Sequence, residues 1–109
     1  MSPQVFHILL ALADQDLHGY AIIQDVAART NGDVRLTAST LYAVLKRLLD
    51  DKWIRELAER PDDDDARRRY YRITAAGRAA GRAEAERLAQ LADMARDKRW
   101  LPKTRRGRS

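Results

Sequence analysis

The chain has 109 residues, of which 45% are hydrophobic and 34% charged, and it contains no cysteine. Those values fit a single soluble, helix-rich globular domain with a modest core, and they exclude disulfides, thiolate nucleophiles and thiolate metal sites. The formal net charge of +5 is carried by the end of the chain: residues 1–95 hold 14 Lys/Arg against 15 Asp/Glu, whereas residues 96–109 hold 7 against 1.

Any case for a polyanionic partner must therefore rest on local clusters in the body rather than on the net charge. No apolar run approaches the ~20 residues that span a bilayer, and Met1-Ser2-Pro3 does not open a signal peptide, so a cytoplasmic protein with no membrane association is expected.

In chain order, Ser2 is placed to cap a first helix with Pro3 in its first turn, where a missing N–H costs nothing. Val5, Ile8, Leu9 and Leu12 follow at i, i+3, i+4 and i+7, a stripe for burial. Asp14-Gln15-Asp16 ends that helix, and His18-Gly19 breaks the chain before a second one, from about Tyr20 to Arg29, with Ile22, Ile23 and Val26 inward. Asn31-Gly32 is a turn signal, after which Thr37 or Ser39 caps a third helix reaching about Asp51.

Residues 53–59 have weak strand character, Arg60 to Asp65 combines Pro with four adjacent carboxylates and opposes regular structure, and residues 68–73 are rich in β-formers. The two strands make a hairpin across the acidic turn. Alternation puts Tyr71 and Ile73 on its core face and Tyr70 and Arg72 on the other. Thr74 then caps a long helix from Ala75 to about Arg99, roughly 37 Å at 1.5 Å per residue. A tail of residues 102–109, basic and disordered, follows.

The third helix carries the most information. Leu41, Val44, Leu45 and Leu48 form its buried stripe, and the other side offers Ser39, Thr40, Tyr42, Lys46 and Arg47. Small hydroxyls at a helix start let it enter the DNA major groove, while cations further on reach phosphates or guanine. By itself the segment reads equally as an ordinary amphipathic surface helix. Its place, third in a row before a hairpin, is that of the recognition helix of a winged helix-turn-helix.

The fold class expected is thus mainly α with a small β-hairpin, divided into a winged helix-turn-helix over 1–74 and a C-terminal dimerisation helix over 75–101. Leu88, Leu91, Ala92 and Ala95 form an apolar stripe on the long helix that so small a body cannot cover, so a second subunit is its natural partner. Arg67, Arg68 and Arg69 follow the acidic run, and plain charge pairing with Asp62 to Asp65 across the hairpin is the lesser alternative to a role on a polyanion. His7 and His18 have no Cys nearby and read as packing or turn residues, not metal ligands. No nucleophile–base pair, phosphate-cradling glycine loop or paired-carboxylate cleft is present, so neither an enzyme nor a bound cofactor is expected.

Leu-Leu-Ala-Leu-Ala at 9–13, Leu-His-Gly-Tyr at 17–20, Thr-Leu-Tyr at 40–42 with Leu-Lys-Arg-Leu at 45–48, and Arg-Tyr-Tyr-Arg-Ile-Thr-Ala-Ala-Gly at 69–77 resemble the PadR family of bacterial transcriptional regulators. The likeness spans about residues 4–92, and the single C-terminal helix resembles the short form of the family. It implies a homodimeric winged-helix repressor on an inverted-repeat DNA operator, dimerised through C-terminal helices, with some members released by phenolic or drug-like aromatic effectors.

Carried over by position, Ser39, Thr40, Tyr42 and Lys46 lie on the recognition helix and Arg68, Arg69, Tyr70 and Arg72 in the wing. Trp100 is the candidate wall for a planar effector, or docks across the dimer. Ser39 stands where the family commonly has Gly, and Ala43 where it has Pro, which leaves the fold intact and puts the base preference in question. Asp62 to Asp65 at a wing tip would be repelled by phosphate. The competing reading is a winged-helix protein–protein interaction module without specific DNA binding, its acidic hairpin meeting a basic partner.

Overall fold

Ser2 caps α1 (Pro3–Ala11): its hydroxyl accepts the Val5 N–H at 3.2 Å, and Pro3 fills the first turn. This computed structural model describes residues 1–57 and 69–103. After α1 come β1 (Leu17–His18), α2 (Gly19–Arg29), α3 (Ala38–Asp50), β2 (Ile54–Glu56), β3 (Tyr70–Ile73) and α4 (Ala75–Asp97). The acidic run Asp62 to Asp65, with Arg67, Arg68 and residues 104–109, lies outside the described residues.

Each helix begins at a side-chain cap. His18 opens α2, its Nδ1 accepting the Ala21 N–H at 3.2 Å. Thr37, of the two candidates, opens α3 by accepting the Thr40 N–H at 3.1 Å. Thr74 opens α4 by accepting the Gly77 N–H at 3.0 Å. The turn between α2 and α3 takes the left-handed backbone its Asn-Gly pair suggests: Asn31 has φ 53° and Gly32 φ 82°, and the Gly32 N–H donates to the Ala27 carbonyl at 2.8 Å.

The sheet differs from the expected two-stranded hairpin. It has three antiparallel strands in the order β1-β3-β2, with Leu17 opposite Tyr71 and His18 opposite Tyr70 on one edge of β3. Two residues are too few to show a period of two, and the following Gly19 reads as a break, so β1 left no signal in the sequence.

On the other edge of β3, Ile54 faces Ile73, Arg55 faces Arg72 and Glu56 faces Tyr71. Tyr71 and Ile73 are buried as the alternation requires. They join Ile8, Leu9 and Leu12 of the α1 segment, Ile22 and Val26 of α2, and Leu41, Leu45 and Leu48 of α3 in one core. Ile23 and Val44 are only partly buried, so both inward faces are narrower than the sequence stripes.

α4 follows β3 after a single residue. The Thr74 N–H donates to the Trp53 carbonyl at 3.0 Å and its hydroxyl to the Lys52 carbonyl at 2.7 Å. Arg78 reaches across to the Ala13 carbonyl at 2.8 Å, satisfying a group just past the end of α1. The helix ends at Asp97, two residues earlier than expected. There Arg99 takes φ 65° and the Trp100 N–H turns back to the Ala95 carbonyl at 2.9 Å.

The molecule is elongated, 51 × 28 × 28 Å, because the 23 residues of α4 run about 35 Å at 1.5 Å per residue. Among the described residues no helix is long and apolar enough to cross a membrane.

Gly77 is where α4 touches the α3–β2 connection: a Cβ there would collide with the Trp53 carbonyl oxygen and lie 2.9 Å from Ile73 Cγ1. Backbone cannot move aside as cheaply as a side-chain tip. Gly77→Ala is therefore expected to destabilise the fold by about 1–3 kcal/mol despite its better helix propensity. Urea denaturation followed by circular dichroism measures it, and an unchanged midpoint would contradict this packing.

Candidate nucleic-acid interface

The roll of α3 about its axis decides what it shows to solvent. At 100° per residue, Leu41, Leu45 and Leu48 fall within one narrow arc, and all three are buried in the core. The opposite arc carries Ser39, Ala43, Lys46 and Asp50, spaced i, i+4, i+7 and i+11, and all four are exposed. Tyr42 flanks it on one side; Arg47 and the half-buried Thr40 flank it on the other.

Ser39 and Ala43, the two departures from the usual family pattern, thus lie along the middle of the exposed line. Asp50, not singled out from the sequence, closes that line with a carboxylate, which confines a phosphate-compatible surface to the first three turns. Lys46 and Arg47 have no ion-pair partner among the described residues.

Tyr42 is 51% exposed, and its ring leans on the start of α2. A Cβ at Gly19 would collide with the Tyr42 hydroxyl and lie 3.3 Å from Leu41 Cδ2. The glycine of Leu-His-Gly-Tyr is thus the seat of the tyrosine of Thr-Leu-Tyr. Arg47 borders a shallow depression shared with Met1 and Trp53, so it diverges from Lys46 toward the α1 side.

One further cation was not singled out in the sequence. Arg35 stands at the entry to α3, exposed, with its Nε donating to the Gly32 carbonyl at 3.1 Å. Its signal was its place two residues before the Thr37 cap.

The wing residues have separate environments. Arg69 is exposed, with Nη1 4.0 Å from Glu56 Oε1. Tyr70 is half-buried and meets the His18 ring edge-on at a centroid distance of 5.3 Å. Arg72 is held by Asp16 through two hydrogen bonds, Nε to Oδ1 at 2.9 Å and Nη2 to Oδ2 at 2.7 Å. Those bonds, with the nearby Arg55 charge, keep the Asp16 carboxyl below its usual range. Burial pushes the Tyr71 phenol up. Arg68 lies outside the described residues.

On α4 the body covers one face as far as Glu84, which is 8% exposed, and less beyond it. Hydrogen bonds from Arg87 hold the Glu84 carboxyl below its usual range, and the Met1 ammonium stands 3.9 Å away. Past that point Leu88 and Leu91 are 40% and 46% exposed, Met94 adds to the same apolar surface, and Ala92 and Ala95 are half-buried. Trp100 is 81% exposed. A groove of about 190 Å³ lies between α1 and α4, lined by Phe6, Leu10, Gly81 and Ala85 among others.

A family model described as the transcriptional regulator PadR-like family matches residues 8–83. The chain belongs to this family. An uncharacterised protein of Lysinibacillus sphaericus is 39% identical over 72 residues, 66% of this chain and 65% of its own length, so the chain spans just under two thirds of that relative. A transcriptional regulator of Mycobacterium tuberculosis is 36% identical over 86 residues, 79% of this chain and 76% of its own.

Among solved structures, a transcriptional regulator from Clostridium thermocellum superposes with a TM-score of 0.74 at 23% identity, over 89% of this chain and 96% of that one. Bacillus subtilis PadR, solved in complex with operator DNA, gives 0.67 at 21% identity, over 78% of this chain and 48% of that one. The winged-helix fold and membership of a family of PadR-like regulators, not enzymes, agree with the sequence reading.

Proposed function

We propose that this PadR-like chain is a homodimeric repressor that binds an inverted-repeat operator through α3 and is released by an aromatic small molecule. One observation carries the DNA reading: the core holds α3 by its leucines and leaves Ser39, Tyr42 and Lys46 facing outward, the lysine without an ion-pair partner among the described residues. The operator complex of Bacillus subtilis PadR, a protein of the same fold, supports it.

In this reading Ser39 and Thr40 enter the groove at the start of α3. Lys46 and Arg47 take phosphates or a guanine edge, Tyr42 lays its ring along the backbone, and Arg69 and Tyr70 of the wing meet flanking phosphates. The unsupported Leu88, Leu91 and Met94 surface of α4 calls for a second copy, whose two-fold axis would set two α3 helices about 34 Å apart, one turn of DNA. Trp100 offers an effector an open indole face for stacking.

The DNA reading is tested by selecting operators from a random pool and measuring affinity against salt. Log affinity should fall linearly with log salt. Lys46→Ala should weaken binding about tenfold per half-site without lowering the melting temperature, and flatten the slope by about 0.9 for each phosphate it leaves without a cation. No sequence-selective binding at moderate salt would favour the protein-partner reading instead.

Leu91→Glu should convert the dimer to monomer in light scattering, since a charge in an apolar helix contact is left uncompensated; a persistent dimer refutes the α4 contact. A planar phenol should dissociate the wild-type complex with DNA and do so poorly with Trp100→Ala. Equal release from both would remove Trp100 from the effector site.

A further inference from the structure

The residues ahead of α2 meet the wing strand rung by rung. His18 pairs with Tyr70 and Leu17 with Tyr71, and Asp16, next along the same register, binds Arg72 through both carboxylate oxygens. His18 adds its ring contact with Tyr70 while also capping α2, and Gly19 is the seat of Tyr42 on α3. Four consecutive residues therefore touch the wing and the helix-turn-helix together.

The outer face of the sheet shows why a carboxylate is needed there. Arg55 of β2 and Arg72 of β3 are direct cross-strand partners, and both are exposed. Like charges directly opposite each other destabilise a strand pair. Asp16 stands on the far side of Arg72, feels both cations, and neutralises part of that repulsion. β3 is joined to β2 over only three residue pairs and to β1 over two, so a charge imbalance on this face acts against a small ladder.

We propose that Asp16 is a positioning residue for the wing strands: its two hydrogen bonds to Arg72 hold β3, and with it the paired β2, at a fixed place relative to the recognition helix α3. Arg72 is then a strut and not a phosphate contact. This rests on the DNA reading for its consequence, although the anchoring itself is a property of the free protein.

Amide hydrogen exchange on the full chain without DNA, and operator affinity across a salt series, test the two parts separately. Asp16→Asn should speed exchange of the residue 70–73 amides several-fold while leaving α1 unchanged, and Asp16→Glu, which keeps the carboxylate, should restore much of the protection. The same Asp16→Asn protein should bind operator about three- to tenfold more weakly with the salt slope unchanged. Unchanged exchange overturns the proposal, as does unchanged affinity. Tighter binding with a slope steeper by about 0.9 per half-site also overturns it, because Arg72 would then be a phosphate contact that Asp16 withholds. If the wild-type chain selects no DNA sequence, it is the DNA reading that fails, and the exchange result still decides whether Asp16 anchors β3.

Discussion

Burial of Leu41, Leu45 and Leu48 fixes the roll of α3, and each such side chain contributes about 1.5–3 kcal/mol relative to exposure. Rotating the helix by one residue, about 100°, would swing the leucines out of the core and turn Thr40 and Arg47, or in the other sense Tyr42, into it. No competing interaction on the outer face approaches that cost. The outward line through Ser39, Ala43 and Lys46 is therefore a consequence of packing and does not depend on any partner being present. Gly19 adds a second constraint. Because Tyr42 lies where a side chain on α2 would be, α2 and α3 approach closely, and the tyrosine is directed along the surface instead of into it.

The arginines show why net charge is a poor guide to such a surface. Several are engaged within the molecule: Arg29 with Asp25, Arg72 with Asp16, Arg87 with Glu84 and Arg96 with Asp93. Arg35 and Arg78 donate to the main-chain carbonyls of Gly32 and Ala13. These groups secure turns, helix ends and the sheet, and the four that face carboxylates have their charge matched nearby. Lys46 and Arg47 pair with no described carboxylate, and on the outer side of α3 their field is open to a polyanion.

Much of this architecture was legible in the sequence because its signals are local. Ser2-Pro3, Asn31-Gly32, Thr37 and Thr74 each announce a helix boundary through the geometry of one or two residues. The leucine spacing of α3 and the alternation at 70–73 give the inward faces directly. What was not legible is long-range or too short to have a period. β1 is two residues, and its partner is more than fifty residues away. Asp16 read as part of a polar helix end because its role is set by Arg72, and His18 as a turn residue because its ring does two jobs, cap and contact. The close approaches at Gly19 and Gly77 depend on which backbone or ring lies opposite, which spacing does not reveal.

The junction at Thr74 has a mechanical consequence. Ile73 ends β3, Thr74 is bonded to both Lys52 and Trp53, and α4 begins at Ala75 with Gly77 against the Trp53 carbonyl. Only Thr74 separates β3 from the long helix. Any tilt of α4 must therefore turn the hairpin with it, and the 23-residue helix acts as a lever whose short arm is the sheet. A displacement of a few ångströms at the far end of such a lever becomes a rotation of a few degrees at the wing. The far end of α4 and strand β3 are thus linked through Thr74 alone.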